Sequence, residues 1–127
     1  MKIEIVIVSL LLLISIVLLV GCLQENPTPS DLNKLIGTWE WVGENEKNTY
    51  IFYQNQSLFS SYINLDTGET HRGWGVFEFN QSKLCMSTTH GHSGKTESYC
   101  YDYVFSENNT RLTLSATGLT TVTLIKI

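Results

Sequence analysis

Eight short runs rich in β-branched and aromatic residues follow one another after residue 37, with no helical period between them. Turn-forming residues separate these runs, which are Thr38–Val42, Asn48–Gln54, Ser57–Asn64, Thr70–Phe79, Lys83–Thr89, Thr96–Phe105, Thr110–Ala116 and Thr120–Lys126. Short connections without helices indicate an antiparallel meander, and eight strands are enough for a sheet to close and lose its edges. The sequence therefore predicts an all-β fold, a small eight-stranded antiparallel up-and-down barrel, with a two-sheet sandwich as the alternative.

Alternation along three of these runs predicts which side chains point into the barrel. They are Trp39 and Trp41 on the first run, Leu112 and Leu114 on the seventh, and Tyr99, Tyr101, Tyr103 and Phe105 on the sixth. The runs around Trp74 and Val122 carry apolar residues on both faces, so alternation does not orient them.

A second feature precedes the barrel: residues 5–20 are apolar except for Ser9 and Ser15, and Lys2 lies ahead of them. Three interpretations compete, a cleaved signal, an uncleaved membrane helix and a buried core helix. The run is short for a bilayer span, which takes about 20 residues, and it has no amphipathic face that suits a globular core. Either of the first two interpretations leaves the domain tethered outside the cytoplasm.

The run ends in Leu19-Val20-Gly21-Cys22, which resembles the lipobox of bacterial lipoprotein signals at all four positions. The resemblance implies cleavage before Cys22 and lipidation of that cysteine, palmitate included, with the bilayer as a partner through this anchor at the cell membrane. We expect a signal peptide over 1–21, the lipidated cysteine and a flexible tether over 22–34, and the barrel domain over 35–127. Within the tether range, Ser30 can cap a single helical turn that Gly37 closes.

The barrel region resembles the short lipocalin-like lipoproteins of prokaryotes. The motifs are Leu35-Ile36-Gly37-Thr38-Trp39, Gly73-Trp74-Gly75-Val76, Lys83-Leu84, Asn109 to Leu114, and Gly118 to Lys126. The resemblance implies a closed eight-stranded barrel in which Trp39 lies near the base beneath a basic side chain. Lys126 and Arg111 are the candidates for that side chain, and Lys126 is preferred.

The chain has three cysteines, and assigning Cys22 to lipid leaves Cys85 and Cys100 as an even pair. A hairpin centred near His92 and Ser93 places these two cysteines directly opposite each other, both pointing outward. A cross-strand disulfide fits this register and would stabilise the fold by about 3 kcal/mol.

The alternative for this hairpin is a metal site, because its cysteines and histidines read Cys-x4-His-x-His-x7-Cys. Known structural zinc sites have a close Cys pair, which this spacing lacks. We therefore expect solvated loop histidines, no metal and no cofactor; His71, His90 and His92 are the only weak candidates for a metal site.

Three glycosylation sequons begin at Asn55, Asn80 and Asn108, each in a predicted turn, but a chain so rich in Asn, Ser and Thr gives about this many by composition. The net charge of −4, without any Lys/Arg cluster, argues against nucleic acid as a partner. No nucleophile elbow, phosphate loop or paired carboxylates are found, so we expect no enzyme.

The function that we expect is binding of a small or apolar ligand inside a membrane-tethered barrel. The candidate ligand-binding residues form the aromatic inner face Trp39, Trp41, Phe52, Tyr99, Tyr101 and Tyr103. The alternative is a filled barrel that serves the cell envelope as a structural or protein-interaction module, since large side chains tend to fill so small a barrel.

Overall fold

The computed structural model describes residues 29–127, with side chains from Asp31 onward. The expected signal peptide, Cys22 and the tether up to residue 28 lie outside the described residues. Within the described part of the chain, no helix combines the length and the apolar character needed to cross a bilayer.

The predicted all-β barrel is confirmed. Within residues 29–127, one short helix, α1 (Pro29–Leu35), precedes eight strands. The strands are β1 (Gly37–Val42), β2 (Glu46–Phe52), β3 (Ser57–Asn64), β4 (Thr70–Phe79), β5 (Leu84–His90), β6 (Thr96–Ser106), β7 (Arg111–Ser115) and β8 (Val122–Lys126). Each strand pairs antiparallel with the next, and β1 also pairs with β8 through Trp39–Lys126 and Glu40–Ile125, which closes the sheet.

The barrel has two different ends. We call the end that carries α1, the start of β1 and the end of β8 the closed end, and the other the open end. The turns 53–56, 80–83 and 107–110 lie at the closed end, whereas 43–45, 65–69, 91–95 and 116–121 lie at the open end. Both α1 and Ile127 are therefore at the closed end, where the Ile127 amide donates to the Thr38 carbonyl at 3.0 Å.

The hydrophobic core fills the half of the barrel nearer the closed end. Its buried members are Leu35, Trp39, Phe52, Leu58, Phe77, Phe79, Leu84, Met86, Leu112, Leu114 and Leu124. The predicted inward side chains of Trp39, Leu112 and Leu114 belong to this core, and those of Trp41, Tyr101, Tyr103 and Phe105 pack against it as partly buried side chains. Aromatic packing within it includes an edge-to-face contact of Phe52 with Phe77 at 5.1 Å between ring centroids.

Trp39 lies at the base of the core, as expected, and Lys126 is its basic neighbour. The Trp39 Nε1 donates to the Leu35 carbonyl at 2.7 Å, and the Lys126 Nζ lies 5.2 Å from the centre of the indole ring. Arg111 instead pairs with Glu107 at 2.7 Å. Of the two candidates from the sequence, the structure places Lys126 over the tryptophan.

The orientation of β4, which alternation could not assign, follows from its glycines. Gly73 and Gly75 stand opposite the inward residues Ser60 and Leu58 of β3, so Trp74 points outward and is 56% exposed. A Cβ at Gly75 would lie 1.7 Å from the Ser87 carbonyl oxygen, so the two backbones approach here more closely than any side chain permits.

Candidate functional site

A cavity of about 380 Å³ opens at the open end of the barrel. It lies where the inward side chains become small or absent, since Ser60, Gly73 and Thr88 occupy inward positions there. Nearer the closed end, the inward faces of the same strands carry Leu58, Phe77 and Leu84. The lining consists of Asn48, Tyr50, Ser60, Ser61, Tyr62, His71, Arg72, Gly73, Met86, Thr88, His90, His92, Glu97, Tyr99 and Tyr101. The barrel is thus packed at one end and hollow at the other.

Four tyrosines from three strands form the walls of this cavity: Tyr50 on β2, Tyr62 on β3, and Tyr99 and Tyr101 on β6. Within residues 29–127, none of their hydroxyls makes a hydrogen bond to a protein group, whereas the Tyr103 hydroxyl, outside the cavity, donates to the Asn80 carbonyl at 2.7 Å. The four phenols therefore keep their hydrogen-bonding capacity for whatever enters the cavity.

Two of the phenols, those of Tyr50 and Tyr101, lie in a partly desolvated environment. Burial raises the pKa of Tyr50 above its ordinary value. Burial also raises the pKa of Tyr101, and the neighbouring phenols of Tyr50 and Tyr99 add to that rise. The Tyr50 and Tyr101 hydroxyls therefore stay neutral well above neutral pH.

The mouth of the cavity is formed by three histidines and the carboxylate of Glu97. Its imidazoles are His71 on β4, His90 at the end of β5, and His92 in the following turn. The His90 Nε2 lies 3.3 Å from Glu97 Oε2, and the other oxygen of Glu97 accepts from Lys95 Nζ at 2.9 Å. The hydrogen bonds from Lys95 and then His90 lower the pKa of Glu97.

The six aromatic residues predicted to bind a ligand lie in two different parts of the barrel. Tyr99 and Tyr101 line the cavity. Trp39 and Phe52 are completely enclosed in the core, and Trp41 and Tyr103 pack against that core without lining the cavity. All six point inward, but only two of them reach the hollow half of the barrel.

Several cavity residues were not expected from the sequence. Tyr50 and Tyr62 were missed as wall residues, and the small side chains that make the space, Ser60 and Thr88, were not considered. One signal was available: the alternation that orients Trp39 also orients β2 and β3 through the register of the hairpins, and it places Tyr50 and Tyr62 inward.

The Cys85–Cys100 disulfide is confirmed on the outer wall, with an S–S distance of 2.03 Å. The predicted register is also observed, with Cys85 opposite Cys100 and Met86 opposite Tyr99. The His90 amide donates to the Lys95 carbonyl, and alternation from that pair makes the cysteines a non-hydrogen-bonded pair, the kind that brings side chains closest. The three sequons at Asn55, Asn80 and Asn108 lie in the three closed-end turns, remote from the cavity.

Comparison of the chain with protein families, curated proteins and solved structures finds no match.

Proposed function

We propose that this protein is a lipid-anchored, extracytoplasmic barrel of the lipocalin-like kind that binds a small, partly apolar molecule in its open-end cavity. The observation that carries the proposal is the cavity itself, about 380 Å³ in volume and walled by four tyrosines whose hydroxyls have no hydrogen-bond partner among residues 29–127. Binding pockets for small molecules begin at roughly 300 Å³ and combine apolar walls with a few converging polar groups.

The chemistry of the wall favours a small amphipathic ligand. The rings of Tyr50, Tyr62, Tyr99 and Tyr101 offer apolar faces, and Met86 adds an adaptable apolar side chain at the floor. Hydroxyl groups can donate or accept, so they suit a ligand with its own hydroxyl, carbonyl or amine groups. A ring-containing molecule with a polar substituent would use both features.

The alternative of a filled barrel describes only part of the interior. Leu, Phe and Trp side chains pack the closed half in the way this alternative expects. The open half has small inward residues at adjacent positions on three strands, which is why we favour ligand binding over a purely structural role.

Ligand binding can be tested by titrating the full chain in detergent with N-phenyl-1-naphthylamine, a neutral aromatic probe, and following the fluorescence of the probe. Thr88 lines the cavity and the adjacent Thr89 is exposed on the outer wall, so Thr88→Trp and Thr89→Trp form a matched pair. We expect Thr88→Trp to weaken probe binding at least tenfold and Thr89→Trp to leave it unchanged. Equal effects of both variants, or no saturable binding by the native chain, would contradict the proposal.

The location outside the cytoplasm is supported by two features. Structural disulfides such as Cys85–Cys100 persist mainly in oxidising compartments. The Leu19-Val20-Gly21-Cys22 sequence resembles a lipobox. Mass spectrometry of the protein from its native membrane tests the location directly, because we expect a chain that begins at Cys22 and carries lipid on that residue. An intact chain that still begins at Met1 would overturn the anchor chemistry.

A further inference from the structure

All three histidines of the chain meet at the mouth of the cavity. The ladder between β4 and β5 ends with Gly73 opposite His90, and the Gly91 amide extends it by donating to the Arg72 carbonyl at 2.8 Å. The next position places His71 opposite His92, and their ring centroids are 4.5 Å apart. His90 lies two residues before His92 on the same face, with its ring centroid 6.3 Å from that of His92.

His90 and His92, together with His71 on the neighbouring strand, offer three nitrogen ligands. Three histidines with a fourth position left open are a known ligand set for zinc, and imidazole also suits copper. Two imidazoles on one tetrahedral ion, with metal–nitrogen bonds of about 2.0 Å, have ring centroids roughly 5 Å apart. The two observed separations lie on either side of that value.

Two of the imidazoles already have carboxylate neighbours. The His71 Nε2 lies 3.1 Å from Glu69 Oε1, and the His90 Nε2 lies 3.3 Å from Glu97 Oε2. Histidines that bind metals usually donate their second ring nitrogen to a carboxylate, which fixes the tautomer and the ring orientation. In this arrangement the Nδ1 atoms of both rings would be the metal ligands.

We propose that His71, His90 and His92 form a binding site for one divalent transition-metal ion, Zn²⁺ or Cu²⁺, with Glu69 and Glu97 as positioning residues. Within residues 29–127 no three such side chains surround a common point in the present side-chain conformations, so binding requires the imidazoles to turn about their side-chain torsions. The histidines have room to do so, because His71 and His90 are only half-buried and His92 is exposed. Cys85 and Cys100 cannot contribute thiolates, since they are joined in the disulfide.

Isothermal titration of the full chain in detergent with zinc chloride, and separately with copper chloride, under nonreducing conditions tests the site. We expect one ion per chain, no saturable binding by the triple variant His71→Gln/His90→Gln/His92→Gln, and an affinity reduced about 10- to 100-fold in Glu97→Gln. Asp102→Asn is the control, because this carboxylate lies on the outer wall beside Lys83 and should not affect binding. Absence of binding by the native chain, or binding retained by the triple variant, would overturn the proposal.

A second measurement covers the case in which the triple variant does not fold. The native chain has only three histidines, so its imidazole carbon-bound protons give three sets of NMR signals. We expect zinc to shift all three sets together at one equivalent, and a shift confined to one imidazole would refute a three-histidine site. Neither measurement uses a cavity ligand, so the metal site can fail while the proposed ligand binding stands, and the reverse also holds.

Discussion

Lys126 and Trp39 join the two ends of the barrel sheet. The Lys126 Nζ lies 5.2 Å from the centre of the Trp39 ring and also donates to the Lys34 carbonyl at 2.8 Å, so one amine connects β8, β1 and α1. The Lys34 carbonyl is near the end of α1, where backbone carbonyls lack partners within the helix and favour a positive charge. One side chain thus contacts all three elements that meet at the closed end.

We expect Lys126→Met to lower the free energy of unfolding by about 1–2 kcal/mol, because it keeps an apolar stem near Trp39 but removes the cation and the donor to Lys34. Lys83→Met is the matched control, since Lys83 pairs with Asp102 in an exposed ion pair worth less than about 1 kcal/mol. Urea denaturation of the two variants and the native chain measures both losses of unfolding free energy. Equal losses would mean that the Trp39 contact contributes nothing of its own.

Alkaline pH should weaken the fold through the cavity tyrosines. Burial raises the pKa of Tyr50 above 10.0, so the folded protein keeps a proton that the unfolded chain releases as the pH passes about 10. The free energy of unfolding should therefore fall as the pH rises above that value, until the raised pKa is passed. Tyr50→Phe removes this contribution, and its stability should fall less steeply in denaturation curves across the same range. Identical slopes would show that the Tyr50 phenol is not desolvated.

Removing the disulfide with Cys85→Ser/Cys100→Ser should cost about 3 kcal/mol, because the two cysteines are 15 residues apart and the bond limits the unfolded chain. The adjacent outward pair Ser87 and Ser98, joined by a 2.9 Å hydrogen bond, provides a control. Ser87→Ala/Ser98→Ala should cost less than about 1 kcal/mol. Thermal or urea denaturation under nonreducing conditions compares them, and a disulfide variant as stable as the native chain would contradict this assignment.

Gly75→Ala should destabilise the barrel by at least about 3 kcal/mol, because its Cβ would meet the Ser87 carbonyl at 1.7 Å and the strands would have to separate. Gly118→Ala is the comparison: Gly118 has φ of +79° with nothing within 4 Å, so only the backbone conformation is penalised, by about 1–2 kcal/mol. Denaturation midpoints of the two variants measure the difference. A Gly75 variant no worse than the Gly118 variant would show that β4 and β5 can move apart.

Strand positions and hairpin register could be predicted from the sequence because both are local properties. Turn residues bound each run, so the observed strands begin and end within about two residues of the predicted runs. The opposition of Cys85 and Cys100 followed from a short hairpin whose centre the turn residues near His92 mark. Each of these inferences needs only neighbours along the chain.

The position of a side chain along the barrel axis, between the closed and the open end, could not be predicted in the same way. Alternation says that Trp39 and Tyr99 both point inward, but not that the first lies in the packed half and the second in the hollow half. The axial position depends on how the eight strands are staggered around the closed sheet. The pattern of a single strand does not contain that information. The sequence names His71, His90 and His92 together, but their proximity could not be inferred for a related reason. His71 and His92 are brought together by the pairing of β4 with β5, and the pattern of either strand alone does not show it.

The position of helix α1 at the closed end determines from which side molecules can enter the cavity. Helix α1 lies at the closed end, and the seven residue-to-residue steps from Cys22 to Pro29 can reach at most about 25 Å. With a lipid on Cys22, the base of the barrel would stand near the bilayer surface and the cavity would open away from it. Molecules would then be collected from the aqueous surroundings, and those dissolved in the membrane would reach the cavity only after leaving the lipid.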